Sequence, residues 1–214
     1  MTQDLFNGAG PQNNVEVLAD GMALLRAFAP AADLIAPIDR LIEAAPLRRM
    51  RTPGGQMMSV AMTNCGQYGW VSDRHGYRYS PTDPETGQPW PAMPAVLEKL
   101  AAGAAALAGF DGFAPDVCLI NRYEPGTRLS LHQDRDERDF DQPIVSVSLG
   151  LPAIFLIGGQ IRKGPTRQIQ LNDGDVIVFG GPSRLIYHGI KPIEAGDHPL
   201  VGPYRINLTF RKAS

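Results

Sequence analysis

The segment PIVSVSLGLPAIFLIG, residues 143–158, carries the pattern that decides the fold. Its first half alternates apolar and small polar residues, which is typical of a strand with two different faces. The uncharged run from 142 to 161 is long enough to span a membrane, but two prolines and three glycines interrupt it. We therefore interpret the segment as two buried strands, 144–150 and 153–158.

Short strand-like segments surround this region and are separated by Gly, Pro and Asp turns. The further predicted strands are 116–124, 128–132, 167–171, 175–180, 183–188 and 205–211. The spacing of apolar residues predicts two helices upstream, at 31–45 and 94–108. This composition of elements indicates a mainly β fold with flanking helices, a sandwich or jelly roll with both helices outside one sheet.

The length of 214 residues predicts a single domain, which we place at residues 15–214. Residues 1–14 are polar and lack periodic apolar residues, so a flexible tail is expected there. Residues 46–93 are rich in turn signals, and we interpret them as a loop-and-hairpin subdomain on the rim of the core. Cys65 and Cys118 are far apart in the sequence, so we expect no disulfide framework and a reducing, cytoplasmic location.

The charge is nearly balanced, since the chain has 20 Lys and Arg and 22 Asp and Glu, which gives a net charge of −2. This excludes nucleic-acid binding by bulk positive charge, so such binding requires a local patch. The basic residues of the predicted rim are candidates for that patch. They are Arg48, Arg49, Arg51, Arg74, Arg78, Arg162 and Lys163. A solubilising surface is the alternative interpretation.

His132, Asp134 and His188 form a candidate metal site. Residues two apart on a strand share a face, so His132 and Asp134 are expected to reach one ion together. His188 lies at the end of another predicted strand. Two histidines and one carboxylate leave coordination positions open, as expected for a non-haem Fe(II) that binds a cosubstrate and oxygen. Alone, this spacing is also common among surface or structural residues.

The predicted strand RINLTFR, 205–211, places its polar side chains on one face. These side chains are Arg205, Asn207, Thr209 and Arg211. Inward-facing guanidinium groups need an anion, because an unpaired buried charge is costly. Asn121 and Tyr123 share a face of strand 116–124 in the same way. Together, the polar faces of these two strands predict a pocket that binds a carboxylate. The alternative is an exposed sheet face with solvated arginines.

In several motifs the chain resembles the bacterial AlkB-type Fe(II)/2-oxoglutarate-dependent dioxygenases, a family of nucleic-acid dealkylases. The resemblance is carried by MSVAMTNCGQYGW (58–70), YSPTDPETGQPWPAMP (79–94), LINRYEPGTRLSLHQDRDE (119–137), PIVSVSLGLPAIF (143–155), SRLIYHGI (183–190) and RINLTFR (205–211). It extends from about residue 16 to residue 212. The resemblance implies a double-stranded β-helix, which is a jelly roll.

The resemblance also implies the chemistry of the candidate residues. His132, Asp134 and His188 would bind Fe(II), which would also bind O2. The distal carboxylate of 2-oxoglutarate would be held by Arg205, assisted by Tyr123 and Asn207. Three further residues, Asn121, Arg211 and more weakly Ser146, would lie around the iron-proximal end. Decarboxylation of 2-oxoglutarate would drive hydroxylation of an N-alkyl carbon, followed by aldehyde release.

For the substrate, the resemblance implies an extruded base in the rim. Trp70 would stack opposite His132, Tyr77 would contact the backbone or base edge, and Asp136 would favour a positively charged lesion such as 1-methyladenine or 3-methylcytosine. Arg78 and Arg162 would contact the nucleic acid. Each has a plainer alternative, since Trp70 is equally a core residue and Asp136 lies in a charged loop.

These observations lead to one principal hypothesis and two alternatives. The principal hypothesis is oxidative dealkylation of alkylated single- or double-stranded DNA, with RNA left open, by a monomer without membrane association. A second hypothesis keeps iron and 2-oxoglutarate but acts on a protein or small molecule, and the aromatic and basic rim disfavours it. A third is a module that binds damaged nucleic acid without turnover, which would not need the metal and arginine residues.

Overall fold

Two antiparallel sheets face each other in the computed structural model, which describes residues 15–214. The tail predicted at 1–14 lies outside the described residues. In chain order the elements are β1 (Val15–Ala19), β2 (Met22–Leu25), α1 (Ala31–Ala44), β3 (Ala61–Gly66), β4 (Gly69–Asp73), β5 (Gly76–Ser80), α2 (Ala95–Leu107), β6 (Val117–Tyr123), β7 (Leu129–His132), β8 (Ile144–Gly150), β9 (Ala153–Ile157), β10 (Arg167–Leu171), β11 (Val176–Phe179), β12 (His188–Ile190) and β13 (Arg205–Arg211).

The strand order interleaves segments that are distant in the chain. The larger sheet has the order β1-β2-β11-β8-β13-β6-β3, and the smaller sheet has the order β10-β9-β12-β7. A separate two-stranded hairpin is formed by β4 and β5. Two facing sheets built from such non-consecutive antiparallel neighbours form a jelly roll. The predicted mainly β fold is therefore confirmed.

The larger sheet is covered on both faces, as β8 illustrates. Val145, Val147 and Leu149 belong to the apolar cluster that includes both helices, while Ile144 belongs to the cluster between the sheets. Alternation along β8 also turns Ser146 toward the inter-sheet side. The helices thus lie outside the larger sheet, as predicted. Within residues 15–214, no helix is long and apolar enough to cross a membrane.

Most predicted elements are confirmed within one or two residues, but the strand predicted at 183–188 is wrong. A 3-10 helix occupies Gly181–Ser183, and the strand begins only at His188. The Ser183 hydroxyl donates to the carbonyl of Asp20 at 2.7 Å, and the Arg184 side chain donates to loop carbonyls. These long-range hydrogen bonds hold the segment in an irregular path that an apolar pattern does not reveal.

Other differences concern the edges of the larger sheet. The short strands β1 and β2 were not predicted, and β2 pairs with β11, far along the chain. The strand-like piece expected at 58–64 is observed as β3, which pairs with β6 at the sheet edge. The range 46–93 therefore contains a strand of the main sheet as well as the β4–β5 hairpin. On this edge, Cys65 and Cys118 are buried register partners with free thiols.

A buried carboxylate fixes the end of β13, which carries four of the candidate site residues. Asp116 accepts hydrogen bonds from the backbone N–H of Ala213 at 2.7 Å and from the Ser214 hydroxyl at 2.6 Å. The Lys212 ammonium lies 3.2 Å away. Burial alone would raise the pKa of Asp116, but these hydrogen bonds outweigh it and lower the pKa below its usual value.

We predict that Asp116→Asn lowers the free energy of unfolding by about 1–3 kcal/mol at neutral pH, because it removes charge-assisted hydrogen bonds from a buried site. A carboxyl whose pKa is depressed by folding stabilises the protein above its unfolded pKa of about 3.9, and this contribution is lost as the pH falls through the folded value. The difference between variant and wild type in urea denaturation should therefore shrink toward pH 3. Asp111→Asn, at an exposed position, is the control; an equal loss in both variants would contradict the prediction.

Candidate active site

Two histidines face each other across the smaller sheet. His132 is the last residue of β7 and His188 is the first of β12, and they are direct register partners. Their ring centroids are 4.4 Å apart. The Nδ1 atom of His132 lies 3.0 Å from the carbonyl of Ser130, and that of His188 lies 3.2 Å from the carbonyl of Ile186. With Nδ1–H donated to the backbone, each Nε2 lone pair is free for a metal.

Asp134 completes the cluster from the loop that follows β7. Its Oδ1 lies 3.6 Å from His132 Nε2, and its Oδ2 lies 3.9 Å from His188 Nε2. One ligand atom from each of the three residues lies within 4.8 Å of the others. A single ion between them would therefore contact all three. Two imidazoles and one carboxylate suit a redox-active transition metal with open coordination positions, so the residues present fit Fe(II).

The electrostatics of the cluster favour metal-ready protonation states. Burial alone would raise the pKa of Asp134, but the Arg211 guanidinium, 2.8 Å from its Oδ2, and the two imidazoles hold that pKa well below its usual range. Burial, together with the smaller effect of the neighbouring His132, lowers the pKa of His188 to about 4. At neutral pH the site thus offers a carboxylate and an uncharged His188.

Two phenylalanine rings that also line the cavity contact His188. The ring of Phe155 stacks on His188 at 5.7 Å between centroids, and Phe179 contacts it edge-on at 5.0 Å. These contacts restrict rotation of the imidazole and account for its burial. Phe155 lies on β9 and Phe179 on β11, so both sheets contribute to fixing this ring.

Arg205 lies at the inner end of the same cavity and lacks a counter-ion among residues 15–214. Its Nη2 donates to the Ser148 hydroxyl at 3.0 Å, and its guanidinium lies 4.9 Å from the Tyr123 ring. Its Nε and Nη1 have no hydrogen-bond partner among the described residues. Burial lowers the pKa of Arg205, but a guanidinium remains charged in proteins. Such a group requires an anion, and the distal carboxylate of 2-oxoglutarate fits it.

A chain of polar side chains connects Arg205 toward the metal cluster along β13. The Asn207 amide donates to the Ser146 hydroxyl at 2.9 Å and to the Val147 carbonyl at 2.8 Å. The Thr209 hydroxyl donates to the Asn207 carbonyl at 3.0 Å. Asn121 is the register partner of Asn207 on β6. The strand alternation predicted for this face thus brings its polar groups to one cavity.

The cavity has a volume of about 550 Å³ and includes most of the predicted site residues. It extends from Arg205 past the metal cluster to the β4–β5 hairpin. The predicted residues in its lining are Trp70, Tyr77, Asn121, Tyr123, His132, Asp134, Asp136, Ser146, Arg162, His188, Arg205, Asn207, Thr209 and Arg211. Arg78 is not part of the lining.

Trp70 and Tyr77 form an aromatic wall at the outer end. Their rings are nearly parallel, with centroids 5.5 Å apart and an interplanar angle of 13°. The indole N–H of Trp70 donates to Asp136 at 2.8 Å. Trp70 was predicted to lie opposite His132, and both residues line the cavity. The ring that stacks directly on Trp70 is that of Tyr77. The indole, the phenol and the carboxylate therefore act as one surface, and the Trp70–Asp136 bond was not foreseen from the sequence.

Several arginines of the predicted basic patch are paired with acids. Arg48 donates to both oxygens of Asp83, and Arg49 donates to Glu124 at 2.8 Å. Arg78 donates to both oxygens of Asp73. The segment 46–55 contains no Asp or Glu, so the acidic partners of its arginines come from distant parts of the chain. The positive charge of the rim is consequently weaker than predicted, and Arg162 is the member that lines the cavity.

Sequence reasoning missed the residues that support the site from behind. Ser148 follows Ser146 on the same face of β8, so strand alternation alone could have identified it. Glu137 and Arg184 are buried and form an ion pair at 3.0 Å, and the Tyr79 hydroxyl bonds Glu137. No local pattern distinguishes these three from surface residues, because their partners are distant in the chain.

We predict that Asp134→Ala abolishes tight binding of a divalent metal, because the two histidines alone provide no charge to balance the ion. Isothermal titration with Mn(II) in the absence of oxygen measures the affinity. Asp141→Ala, at an exposed position of the same loop, is the matched control and should bind as wild type does. Unchanged Mn(II) affinity in Asp134→Ala would remove this residue from the ligand set.

Comparison with known proteins agrees with this geometry. The model of the 2OG-Fe(II) oxygenase superfamily matches residues 21–211. The chain is 56% identical over 212 residues to the Alpha-ketoglutarate-dependent dioxygenase AlkB of Escherichia coli (strain K12), covering 98% of this chain and 97% of that protein. It is 34% identical over 161 residues to the DNA N(6)-methyladenine demethylase ALKBH1C of Arabidopsis thaliana, covering 63% of this chain and 35% of that protein.

A solved structure shows the same fold. The structure of OsALKBH1 superposes with a TM-score of 0.81 at 30% sequence identity, and the match covers 92% of this chain and 99% of that chain. Together with the matched family model, this confirms the predicted dioxygenase class, with Fe(II), 2-oxoglutarate and O2 as its cofactor and cosubstrates. The chain therefore belongs to the 2OG-Fe(II) oxygenase superfamily.

Proposed function

We propose that this protein removes alkyl groups from N-alkylated bases in DNA by iron- and 2-oxoglutarate-dependent hydroxylation of the alkyl carbon. The observation that carries the proposal is the layout of one cavity. A charged anion subsite lies at its inner end, the metal cluster lies in the middle, and the Trp70–Tyr77 wall with Asp136 lies at its outer end. A base entering from the rim would meet the metal before it meets Arg205.

The inner end is suited to hold 2-oxoglutarate in one orientation. Arg205 would hold the distal carboxylate with its two unpartnered nitrogens, Nε and Nη1, and Tyr123 and Asn207 line the same space. His132, Asp134 and His188 would hold the iron. When bound, iron with 2-oxoglutarate and O2 supplies the oxidising equivalents that hydroxylate the alkyl carbon, after which the aldehyde leaves.

The contribution of the protein is orientation and exclusion of water. Phe155 and Phe179 hold the His188 ring, and Arg211 holds one oxygen of Asp134. The apolar part of the lining surrounds the metal cluster and limits its hydration. It includes Met58, Met62, Leu119, Leu129, Leu131 and Ile144. Fixed ligands and a dry surrounding lower the cost of bringing the alkyl carbon and the oxidant together.

The outer end is suited to a flat, positively charged ring. Methylation of a pairing nitrogen in adenine or cytosine gives a cation that cannot pair, so such a base leaves the helix more easily than an intact one. The aromatic wall offers a stacking surface, and Asp136 offers a negative charge beside it. The names of two relatives, a dioxygenase and a DNA demethylase, support the same class of substrate.

We further propose that the β4–β5 hairpin within 46–93 acts as the recognition lid, since it carries Trp70 and Tyr77. Arg162 is the favoured phosphate contact, because it lines the cavity mouth. Arg78, which is held by Asp73, is a weaker candidate than the sequence indicated. Single- against double-stranded substrate, activity on RNA, a monomeric state and a cytoplasmic location stay predictions from the sequence.

We predict that the protein demethylates a single-stranded oligonucleotide containing 1-methyladenine when Fe(II), 2-oxoglutarate and O2 are supplied. Mass spectrometry should show loss of the methyl group, with succinate and formaldehyde formed in equal amounts. Asp134→Ala should give no turnover, while Asp141→Ala should retain it. Succinate without demethylation of any alkylated oligonucleotide would preserve the dioxygenase assignment and reject this substrate class.

We predict that Asp136→Asn selectively weakens turnover of cationic lesions. Asparagine keeps an acceptor for the Trp70 N–H, so the substitution removes the charge while leaving the indole held in place. Loss of one charge at this partly solvated site should cost about 1–2 kcal/mol, roughly a 5- to 30-fold lower kcat/KM. Neutral 3-methylthymine in the same oligonucleotide is the control substrate and should be affected much less. Equal losses for both bases would mean that the charge does not select the lesion.

A further inference from the structure

The three proposed metal ligands are not fixed to the fold in the same way. His132 and His188 lie on paired strands, so the backbone hydrogen bonds of the smaller sheet set their spacing. Asp134 lies in the loop between β7 and β8, and residues 133–143 contain no helix or strand. Something other than sheet pairing must therefore hold the backbone of the third ligand.

The Arg184 side chain holds the backbone of this loop. Its Nη1 donates to the backbone carbonyl of Asp134 at 2.7 Å, and its Nε donates to the carbonyl of Gln142 at 2.9 Å. Its Nη2 donates to the Glu137 carboxylate at 3.0 Å. The three acceptors span the loop from its first turn almost to the start of β8. A single rigid guanidinium thus connects both ends of the loop and its middle.

Arg184 also connects the loop to the segment that leads to the second histidine. It directly follows the 3-10 helix at Gly181–Ser183 and precedes His188 by four residues. The Ser183 hydroxyl, bonded to the carbonyl of Asp20, ties this segment to the turn between β1 and β2. The position of Arg184 is therefore set before any ligand binds, and the loop is fastened to that position.

The surroundings of Arg184 show that the contact is built rather than incidental. Its side chain is 3% exposed and that of Glu137 is 1% exposed, so the pair is desolvated. The Phe140 ring covers the guanidinium, with 5.4 Å between them. Glu137 is further bonded by the Tyr79 hydroxyl. A buried ion pair contributes little net stability, which leaves room for a role in holding geometry.

We infer that Arg184 is a positioning residue that presets the metal site by clamping the Asp134 loop against the segment carrying His188. The inference rests on the ligand set proposed above. It assigns to Arg184 no contact with iron, cosubstrate or base. Its effect is to keep the Asp134 carboxylate where the two imidazoles can share its ion, so that binding does not have to order the loop.

The test is the Mn(II) affinity of a variant in which the buried pair is removed as a unit. Arg184→Met combined with Glu137→Gln leaves no orphaned carboxylate in the core. Glu137→Gln alone is measured beside it, because Glu137 also lies 3.5 Å from Arg211, the partner of Asp134, and only the further loss in the double variant reports the clamp. We expect Mn(II) binding to weaken about 10- to 100-fold, the range typical for partners that orient metal ligands. Relative to wild type, amide hydrogen exchange should become faster in residues 133–143 and stay unchanged in the strands of the two sheets.

Activity at increasing iron concentration provides a second readout. A positioning role predicts that saturating Fe(II) restores much of kcat, because the loop reaches the same arrangement once the ion is bound. Leu97→Ala is the matched control, since it destabilises the protein from the helix side of the larger sheet and should keep wild-type Mn(II) affinity. Mn(II) binding by Asp134→Ala tests the ligand set independently. A wrong ligand set can therefore be distinguished from a wrong assignment of Arg184.

Wild-type Mn(II) affinity in the folded double variant would overturn the inference. If that variant does not fold, Arg184→Lys carries the same expectation. Lysine keeps a positive charge beside Glu137, but its single ammonium cannot reach three acceptors spread over the loop. A folded Arg184→Lys protein with unchanged Mn(II) affinity would likewise overturn it.

Discussion

The pairing of His132 with His188 across β7 and β12 is the constraint on which the rest of the site depends. Antiparallel register fixes which residues face each other, and a slip of one strand by one residue would turn its imidazole to the opposite face of the sheet, away from the other imidazole. The metal cluster therefore inherits its precision from backbone hydrogen bonds. The same strands also place Phe155 beside His188, because β9 is the other neighbour of β12.

Three arginines are buried around this cluster, and two of them are neutralised by an acid. Arg184 is 2% exposed and pairs with Glu137, while Arg211 is 6% exposed and pairs with Asp134. Arg205 is 1% exposed and has no acid within the described residues. A buried guanidinium without a counter-ion is destabilising, so the charge of Arg205 stays uncompensated until an anion binds in the cavity. Arg205, the arginine without an acid, is therefore the residue that we propose to bind the cosubstrate carboxylate.

The sequence predicted the parts of the site that local alternation determines. The polar face of 205–211 could be identified because strand geometry places every second side chain together. Residues 183–188 have a similar strand-like pattern, yet only Ser183 ends a 3-10 helix and only His188 begins a strand. Residues 184–187 between them are irregular, because Ser183 and Arg184 donate hydrogen bonds to distant carbonyls. Ion pairs such as Arg48 with Asp83 were likewise missed, since they join residues from different turns.

The β4–β5 hairpin depends on the core for its position. Within the part of the chain that the structure describes, β4 and β5 pair only with each other, and an isolated two-stranded hairpin is marginally stable in water. Asn64, on β3, exchanges two hydrogen bonds with the backbone of Trp70, at 3.0 and 3.1 Å. A Cβ at Gly69 would come within 2.3 Å of the Trp90 ring, so only glycine lets this ring pack under the hairpin.

The β5 side of the hairpin is attached at the centre of the site. The Tyr79 hydroxyl accepts a hydrogen bond from Arg211 at 3.1 Å and donates to Glu137, the partner of Arg184. Arg211 in turn contacts Asp134. One network of buried charges therefore positions both the metal ligand and the strand that carries Tyr77. The distance between the stacking surface and the metal is thus set by the same groups that set the metal geometry, which is what a reaction at one exocyclic carbon requires.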